Sequence, residues 1–142
     1  MAANPDEFEN VLIHDAARPF VSNRIIDRIL DKLTVFPAVN VAIDSADTIL
    51  EIDDNHLIKN VPDRRYLRRA QTPQSFKLEL IQRAHRLALE NNVANSSDDC
   101  LLVSKFNLAP VCVVEGDLSN IKITYPIDLR MAEIILENTL AE

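Results

Sequence analysis

The stretch VLIHDAARPFVSNRIIDRILDKLTVFPAVNVAI, residues 11–43, decides the fold class. Its first three residues are apolar and end at the polar pair His14-Asp15, which predicts a buried strand that delivers polar side chains to one edge of a sheet. Ser22 predicts the start of a helix, and residues 38–43 predict a second strand. Because a strand, a helix and a strand follow each other closely, we expect a βαβ unit and an α/β domain with a mixed, mainly parallel sheet flanked by helices. The helix residues expected to face the core are Ile25, Ile26, Ile29, Leu30 and Leu33.

Residues 48–61 have the alternating pattern of apolar and polar residues that predicts a β-hairpin. Their apolar residues alternate with polar ones on both sides of the turn signal Asp53-Asp54-Asn55. Because an isolated hairpin is unstable in water, it must either fold back onto its own sheet or reach a second subunit. The residues alone leave both arrangements open.

The remaining chain continues without a linker or an internal repeat, so we expect a single domain over residues 1–142. The predicted elements are a helix at 77–91, a short helix from Ser97-Asp98-Asp99 to Val103, a strand at 111–114, a strand-like run at 121–124 and a helix opened by Pro126. The apolar residues of the first helix that we expect to face the core are Leu78, Leu80, Ile81, Ala84, Leu87 and Ala88. Those of the last helix are Leu129, Ala132, Ile135 and Leu136.

Composition excludes several classes of function. Fifteen Lys and Arg against 22 Asp and Glu give a net charge of -7, which argues against a nucleic-acid partner. The only glycine, Gly116, excludes a dinucleotide fingerprint and a Walker A loop within these residues. The two cysteines and three histidines lack metal-ligand spacing and obvious partners, so we expect buried reduced thiols rather than a zinc site. No signal pattern or membrane-length apolar run is present, which predicts a soluble, cytoplasmic protein without a membrane partner.

The sharpest local feature is the segment HDAARP, residues 14–19, at the mouth of the first predicted strand. Its Asp15 and Arg18 stand three residues apart where open α/β sheets bind their ligands. A ligand site and a simple loop salt bridge both remain open.

Two further segments carry cations. Residues 64–69 hold four arginines, which suit either a phosphorylated ligand or a solvated basic face. In residues 120–124, NIKIT, Lys122 and Thr124 lie on one face of an extended run and two isoleucines on the other.

Taken together, these segments resemble the polyol-phosphate cytidylyltransferases, and the methylerythritol-phosphate branch more than the ribitol-5-phosphate branch. The resemblance covers residues 11–136 in order and implies a Rossmann-like nucleotidyltransferase fold with a protruding β-arm at residues 46–70. The motifs that carry it are residues 14–19, Asp47-Thr48, Asp63-Arg64, Thr72-Pro73-Gln74, Ser97-Asp98-Asp99, residues 120–124, Pro126, Asp128-Leu129 and Ala132-Glu133.

The resemblance implies transfer of a cytidylyl group from CTP to a polyol phosphate, with release of pyrophosphate, in the synthesis of isoprenoid precursors. It implies Mg²⁺ or another divalent cation as cofactor and a homodimer formed through the β-arm. The implied site residues are Arg64 and Lys122 as catalytic groups that hold the polyol phosphate, Asp15, Ala16, Arg18, Thr48, Thr72 and Thr124 as substrate contacts, and Asp15 near the metal.

One departure from the family affects the expected activity. Its members begin with a strand and a Gly-rich loop that hold the CTP triphosphate, and no such loop occurs in residues 1–142. We therefore expect the chain to correspond to the C-terminal part of a family member, with an N-terminal half as a further candidate partner. The competing hypothesis is a dimerising or polyol-phosphate-binding module without turnover.

Overall fold

The computed structural model describes residues 9–93 and 98–140. Ser97, which the predicted short helix includes, lies outside the described residues. In chain order the elements are β1 (Asn10–Ile13), α1 (Asn23–Leu33), β2 (Ala38–Asp44), β3 (Glu51–Ile52), β4 (Ile58–Asn60), a 3-10 turn (Arg64–Tyr66), β5 (Arg68–Lys77), α2 (Leu78–Glu90), α3 (Asp99–Lys105), β6 (Val111–Glu115) and α4 (Pro126–Leu140).

Four strands form a mixed sheet in the order β1-β5-β2-β6. The prediction of a mixed α/β sheet flanked by helices is confirmed, but the expectation that it is mainly parallel is wrong. The strands β1, β2 and β6 run in one direction, whereas β5 lies between β1 and β2 and pairs antiparallel with both. Only the pairing of β2 with β6 is parallel among the described strands.

The sequence did not predict β5, because its middle reads as a turn. It contains Pro73, which has no N–H for a sheet, and its buried side chains Gln71, Gln74 and Ser75 are polar. The register of β2 against β5 shifts between Asn40 and Ala42, opposite Pro73, and such a bulge is where a central strand tolerates proline.

The two faces of the sheet carry separate apolar clusters. One face packs α1 through Ile25, Ile29 and Leu33, and the other packs α2 and α3. Ser22 accepts a hydrogen bond from the Ile25 amide at 3.4 Å, which confirms the predicted helix start. Leu30 is wrongly predicted as core, because 43% of its surface is exposed.

The cysteines are free thiols, as expected. Cys100, in the first turn of α3, is buried, and Cys112, in β6, is half-buried. Burial, helped by the nearby Asp98 and Asp99, raises the pKa of the Cys100 thiol to about 12. A thiol protonated at neutral pH is a poor nucleophile, so Cys100 serves the core.

The predicted hairpin is confirmed as a separate two-stranded sheet of β3 and β4. Its turn is closed by the Asp53 carboxylate, which accepts hydrogen bonds from the Asn55 and Leu57 amides at 2.9 Å each. Among the described strands, β3 and β4 pair only with each other, so of the two arrangements left open by the residues, the one in which the hairpin joins its own main sheet is not found. Residues 68–70 of the predicted arm belong to β5 in the main sheet. The exposed apolar side chains of this segment are Ile49, Leu50, Ile52, Leu57, Ile58 and Val61, each 43–65% exposed.

The C-terminal region departs from the prediction at residues 121–124, which form a loop rather than a strand. The Ile123 amide donates to the Ala17 carbonyl at 2.8 Å, and the Thr124 amide donates to the Asp128 carboxylate at 2.8 Å. These bonds tie the loop to the segment after β1 and to α4. The start of α4 at Pro126 is confirmed, but Leu129 and Leu136, predicted to face inward, are about half exposed. No helix in the described residues is long and apolar enough to cross a membrane.

Candidate active site

Four of the predicted site residues meet in one polar cavity of about 310 Å³: Asp15, Arg18, Thr72 and Lys122. They come from the loop after β1, from the middle of β5 and from the loop after β6. Its other polar lining residues, which had no predicted role, are His14, Gln71, Gln74, Asp98 and Asp99.

Asp15 stands between two cations. Its Oδ2 lies 3.0 Å from Lys122 Nζ and 3.5 Å from Arg18 Nε. The hydrogen bond from Lys122 holds the pKa of Asp15 below its usual value, with a smaller contribution from Arg18, although partial burial opposes the shift. Two cations against one carboxylate leave a local surplus of positive charge in a chain of net charge -7. That surplus is suited to an anionic ligand.

Arg18 is the more rigid of the two cations. Its side chain is 12% exposed, and Nη1 donates to the Asn120 carbonyl at 2.7 Å. The backbone turns tightly here, because the Arg18 amide donates to the Asp15 carbonyl at 2.9 Å. Lys122 is half exposed and can reorient toward a ligand.

The loop that carries Lys122 is fixed by a buried amide pair. Asn120 is fully buried, and its Nδ2 donates to the Thr72 carbonyl at 2.9 Å and to Gln71 Oε1 at 3.3 Å. Gln71 in turn donates to the Asp117 carbonyl at 2.8 Å. A Cβ on Gly116 would lie 2.3 Å from Gln71 Oε1, so this position requires glycine for the amide pair to pack.

The other two carboxylates that line the cavity, those of Asp98 and Asp99, both have partners within the chain. Asp98 caps α3 through the Leu101 amide and accepts a hydrogen bond from Gln74 Nε2 at 2.6 Å. Asp99 lies 2.9 Å from His85 Nε2. His85 and His14 therefore have partners, contrary to the sequence-based expectation. His14 contacts Thr72 Oγ1 and the Arg18 carbonyl, each at 2.8 Å.

The other predicted site residues do not line this cavity. Ala16 is exposed in the turn between Asp15 and Arg18, and Thr124 hydrogen-bonds to the Lys122 carbonyl at 3.4 Å. Thr48 and Arg64 are exposed, one before the hairpin and one after it.

The arginine-rich segment is less positive than its sequence suggests. Arg65 pairs with Asp63, and Arg68 lies 3.0 Å from Asp44. Arg64 and Arg69 have no ion pair within the part of the chain that the structure describes. Of the four arginines, these two remain available for an anion.

A larger cavity, of about 960 Å³, opens beyond the carboxyl ends of β2 and β6. Its two cations are the paired Arg65 and Arg68, and its wall also carries Glu115 and Asp117. Size favours this cavity, but the pairing of charges favours the smaller one, because Lys122 and Arg18 share the single carboxylate of Asp15, whereas Arg65 and Arg68 each have a carboxylate of their own. We take the smaller cavity as the candidate active site, because the chemistry of a phosphorylated ligand requires cations.

The described residues form no metal site built from protein ligands alone. No group of three His, Cys, Asp or Glu side chains within residues 9–93 and 98–140 is arranged to hold a metal ion. The Asp15 carboxylate, which the resemblance places near a metal, contacts Lys122 and Arg18 in this structure.

Comparison with known proteins identifies the fold and the family. The model of the IspD family, 2-C-methyl-D-erythritol 4-phosphate cytidylyltransferase, matches residues 1–138. A relative of that name from Thermobifida fusca is 42% identical over 142 residues, covering 96% of this chain and 57% of the relative. Another from Caldanaerobacter subterraneus is 45% identical over 128 residues, covering 90% of this chain and 56% of the relative.

Two solved structures give the same result. The 4-diphosphocytidyl-2C-methyl-D-erythritol synthase from Anaerococcus prevotii superposes with a TM-score of 0.85 at 36% identity, covering 96% of this chain and 62% of that one. The 2-C-methyl-D-erythritol 4-phosphate cytidylyltransferase from Thermus thermophilus superposes with a TM-score of 0.77 at 36% identity, covering 89% and 61%. The chain thus spans about three-fifths of the length of these proteins, and over that span it belongs to the 2-C-methyl-D-erythritol 4-phosphate cytidylyltransferase family.

Proposed function

We propose that the protein takes part in the transfer of a cytidylyl group from CTP to 2-C-methyl-D-erythritol 4-phosphate, with release of pyrophosphate, in isoprenoid precursor synthesis. The observation that carries this proposal is the pair of cations, Lys122 and Arg18, around the single carboxylate of Asp15 in a polar cavity. The family membership selects the methylerythritol branch over the ribitol branch.

The reaction fits the side chains present. The attacking group is the phosphate of the polyol, which carries a charge of about -1.5 to -2 near neutral pH, so no protein base is needed. The difficulty is to hold two polyanions in line, a task for fixed cations. Lys122 would exchange part of its contact with Asp15 for the polyol phosphate, while the more buried Arg18 keeps the loop in place. A divalent cation held mainly by phosphate oxygens would need only one or two carboxylates from the protein, and Asp15 is the candidate in this cluster.

Arg64 and Thr48 would act from the second subunit of a homodimer. Both are exposed and outside the cavity of their own chain. They flank a hairpin whose apolar side chains are open to solvent, and burying that surface against a second copy would stabilise the hairpin.

We expect the double variant Ile52→Lys, Ile58→Lys to weaken this dimer at least about tenfold, because two charges would be buried in an apolar contact. Both side chains are more than half exposed, and neither belongs to the two core clusters. The melting temperature of the monomer should therefore not change. Sedimentation at several concentrations measures the effect. Leu89→Lys, on the 80% exposed position of α2, is the matched control and should leave association unchanged. A wild-type monomer at micromolar concentration would remove Arg64 from its role across the dimer.

The alternative, binding of the polyol phosphate without turnover, is favoured for residues 1–142 alone by their single glycine. Calorimetry with CTP and with 2-C-methyl-D-erythritol 4-phosphate, titrated separately, tests the shared part of both hypotheses. We expect these residues to bind the polyol phosphate at the Lys122 cavity and to bind CTP weakly or not at all. If the polyol phosphate does not bind, the proposed function and the binding form of the alternative are both wrong, and only a dimerising module without turnover remains.

A further inference from the structure

His14 lies at the end of β1 and uses both ring nitrogens. Nε2 is 2.8 Å from the carbonyl oxygen of Arg18, and Nδ1 is 2.8 Å from Thr72 Oγ1. A carbonyl oxygen can only accept a hydrogen bond, so Nε2 must carry a hydrogen and donate it. In the neutral ring, Nδ1 is then an acceptor, and the Thr72 hydroxyl donates to it.

This arrangement uses nearly all the hydrogen-bonding capacity of Thr72. A hydroxyl has one hydrogen and two lone pairs. The hydroxyl hydrogen is donated to His14 Nδ1, and one lone pair accepts a hydrogen bond from the Asp15 amide nitrogen, which lies 3.0 Å away. Thr72 lines the cavity, and its remaining lone pair can accept one hydrogen bond from a ligand there.

We infer that His14 is a positioning residue that makes Thr72 an obligatory hydrogen-bond acceptor, so that this corner of the cavity selects a ligand hydroxyl and disfavours a phosphate oxygen. A polyol hydroxyl can donate to Thr72, whereas an ionised phosphate oxygen brings only lone pairs. The phosphate is directed instead to Lys122 and Arg18, which only donate. This inference rests on the proposed function for the identity of its ligand, a polyol phosphate, and adds the orientation in which that ligand binds.

The tautomer can be measured without ligand or turnover. Long-range ¹H–¹⁵N correlation spectra of the 142-residue chain distinguish a protonated ring nitrogen from an unprotonated one, and His14→Asn assigns the signals. We expect His14 to carry its hydrogen on Nε2 at neutral pH. A hydrogen on Nδ1, or a doubly protonated ring, would overturn the inference, because Thr72 could then donate into the cavity.

Two amide variants separate the two contacts of His14. In His14→Asn the shorter amide oxygen can replace Nδ1 as the acceptor for Thr72, whereas in His14→Gln the longer amide can replace Nε2 as the donor to Arg18. We expect His14→Gln to weaken binding of 2-C-methyl-D-erythritol 4-phosphate by roughly three- to tenfold, the range of one neutral hydrogen bond. His14→Asn should retain most of the affinity of the wild type. Thr72→Val should reproduce the loss, and Thr72→Ser should not.

The matched ligand is butyl phosphate, which has the phosphate but no hydroxyl. Its affinity should be unchanged in His14→Gln, and His56→Asn, in the hairpin turn at a backbone φ of 62° that asparagine tolerates, should leave both ligands unaffected. Equal losses for the two ligands in His14→Gln would indicate a merely structural role and overturn the inference. Failure of wild type to bind either ligand would overturn the proposed function, while the tautomer measurement would still decide the role of His14.

Discussion

Purified residues 1–142 are expected to release no pyrophosphate above background from CTP, a divalent cation and 2-C-methyl-D-erythritol 4-phosphate. These residues contain Gly116 as their single glycine, in a position packed against Gln71, so they cannot form a Gly-rich cradle for a triphosphate. Each preorganised donor to developing negative charge is worth about 10²–10³ in rate, so several missing donors should remove turnover entirely.

The control for this result is the polyol-phosphate titration on the same preparation, which shows whether the Lys122 cavity is formed. Fusing the glycine-containing N-terminal part of a relative ahead of the chain should then give measurable transfer, and the fusion carrying Lys122→Ala should lose most of it. Pyrophosphate release by the 142 residues alone would contradict the prediction. It would also mean that cations already described, such as Lys122 and Arg18, suffice to hold the triphosphate.

The sequence predicted those elements whose stability comes from apolar periodicity. The helix at Asn23–Leu33 and the strands at Asn10–Ile13 and Val111–Glu115 each place apolar side chains in a core cluster, and this leaves a regular pattern in the chain. The strand Arg68–Lys77 leaves no such pattern. Its Gln71 and Gln74 are buried because they hydrogen-bond to Asp117 and Asp98, and such partners are remote in sequence.

The candidate site likewise contains contacts that the sequence could predict and contacts that depend on residues remote in the chain. Asp15 and Arg18 could be predicted together because they are three residues apart in one loop. The contact of Lys122 with Asp15, and that of His14 with Thr72, depend on how β1, β5 and the loop after β6 are placed in the sheet. Periodicity carries no information about such contacts. Only the resemblance to a family had grouped Lys122 and Thr72 with Asp15.

Arg64→Ala is expected to weaken binding of the polyol phosphate by roughly ten- to a hundredfold, the worth of one charge-assisted hydrogen bond. Arg64 is exposed and has no ion pair among the described residues, so its loss should not destabilise the fold. The effect should appear only in the dimer and vanish at concentrations where the dimer dissociates. Equal losses in dimer and monomer would show that Arg64 does not act across subunits.

Lys122→Ala is expected to give the same ten- to hundredfold loss of polyol-phosphate affinity, because it removes the mobile cation from a cluster whose surplus charge it supplies. The melting temperature should hardly change, since the Lys122 side chain is half exposed and an ion pair of this kind contributes little. Lys122→Arg should keep part of the affinity, and Lys105→Ala, an exposed lysine at the end of α3, is the matched control. In an active fusion the loss should also reduce turnover, because a misaligned phosphate cannot reach phosphorus in line. If Lys122→Ala lowered the melting temperature sharply and left binding intact, Lys122 would be the structural partner of Asp15 and the polyol phosphate would bind elsewhere.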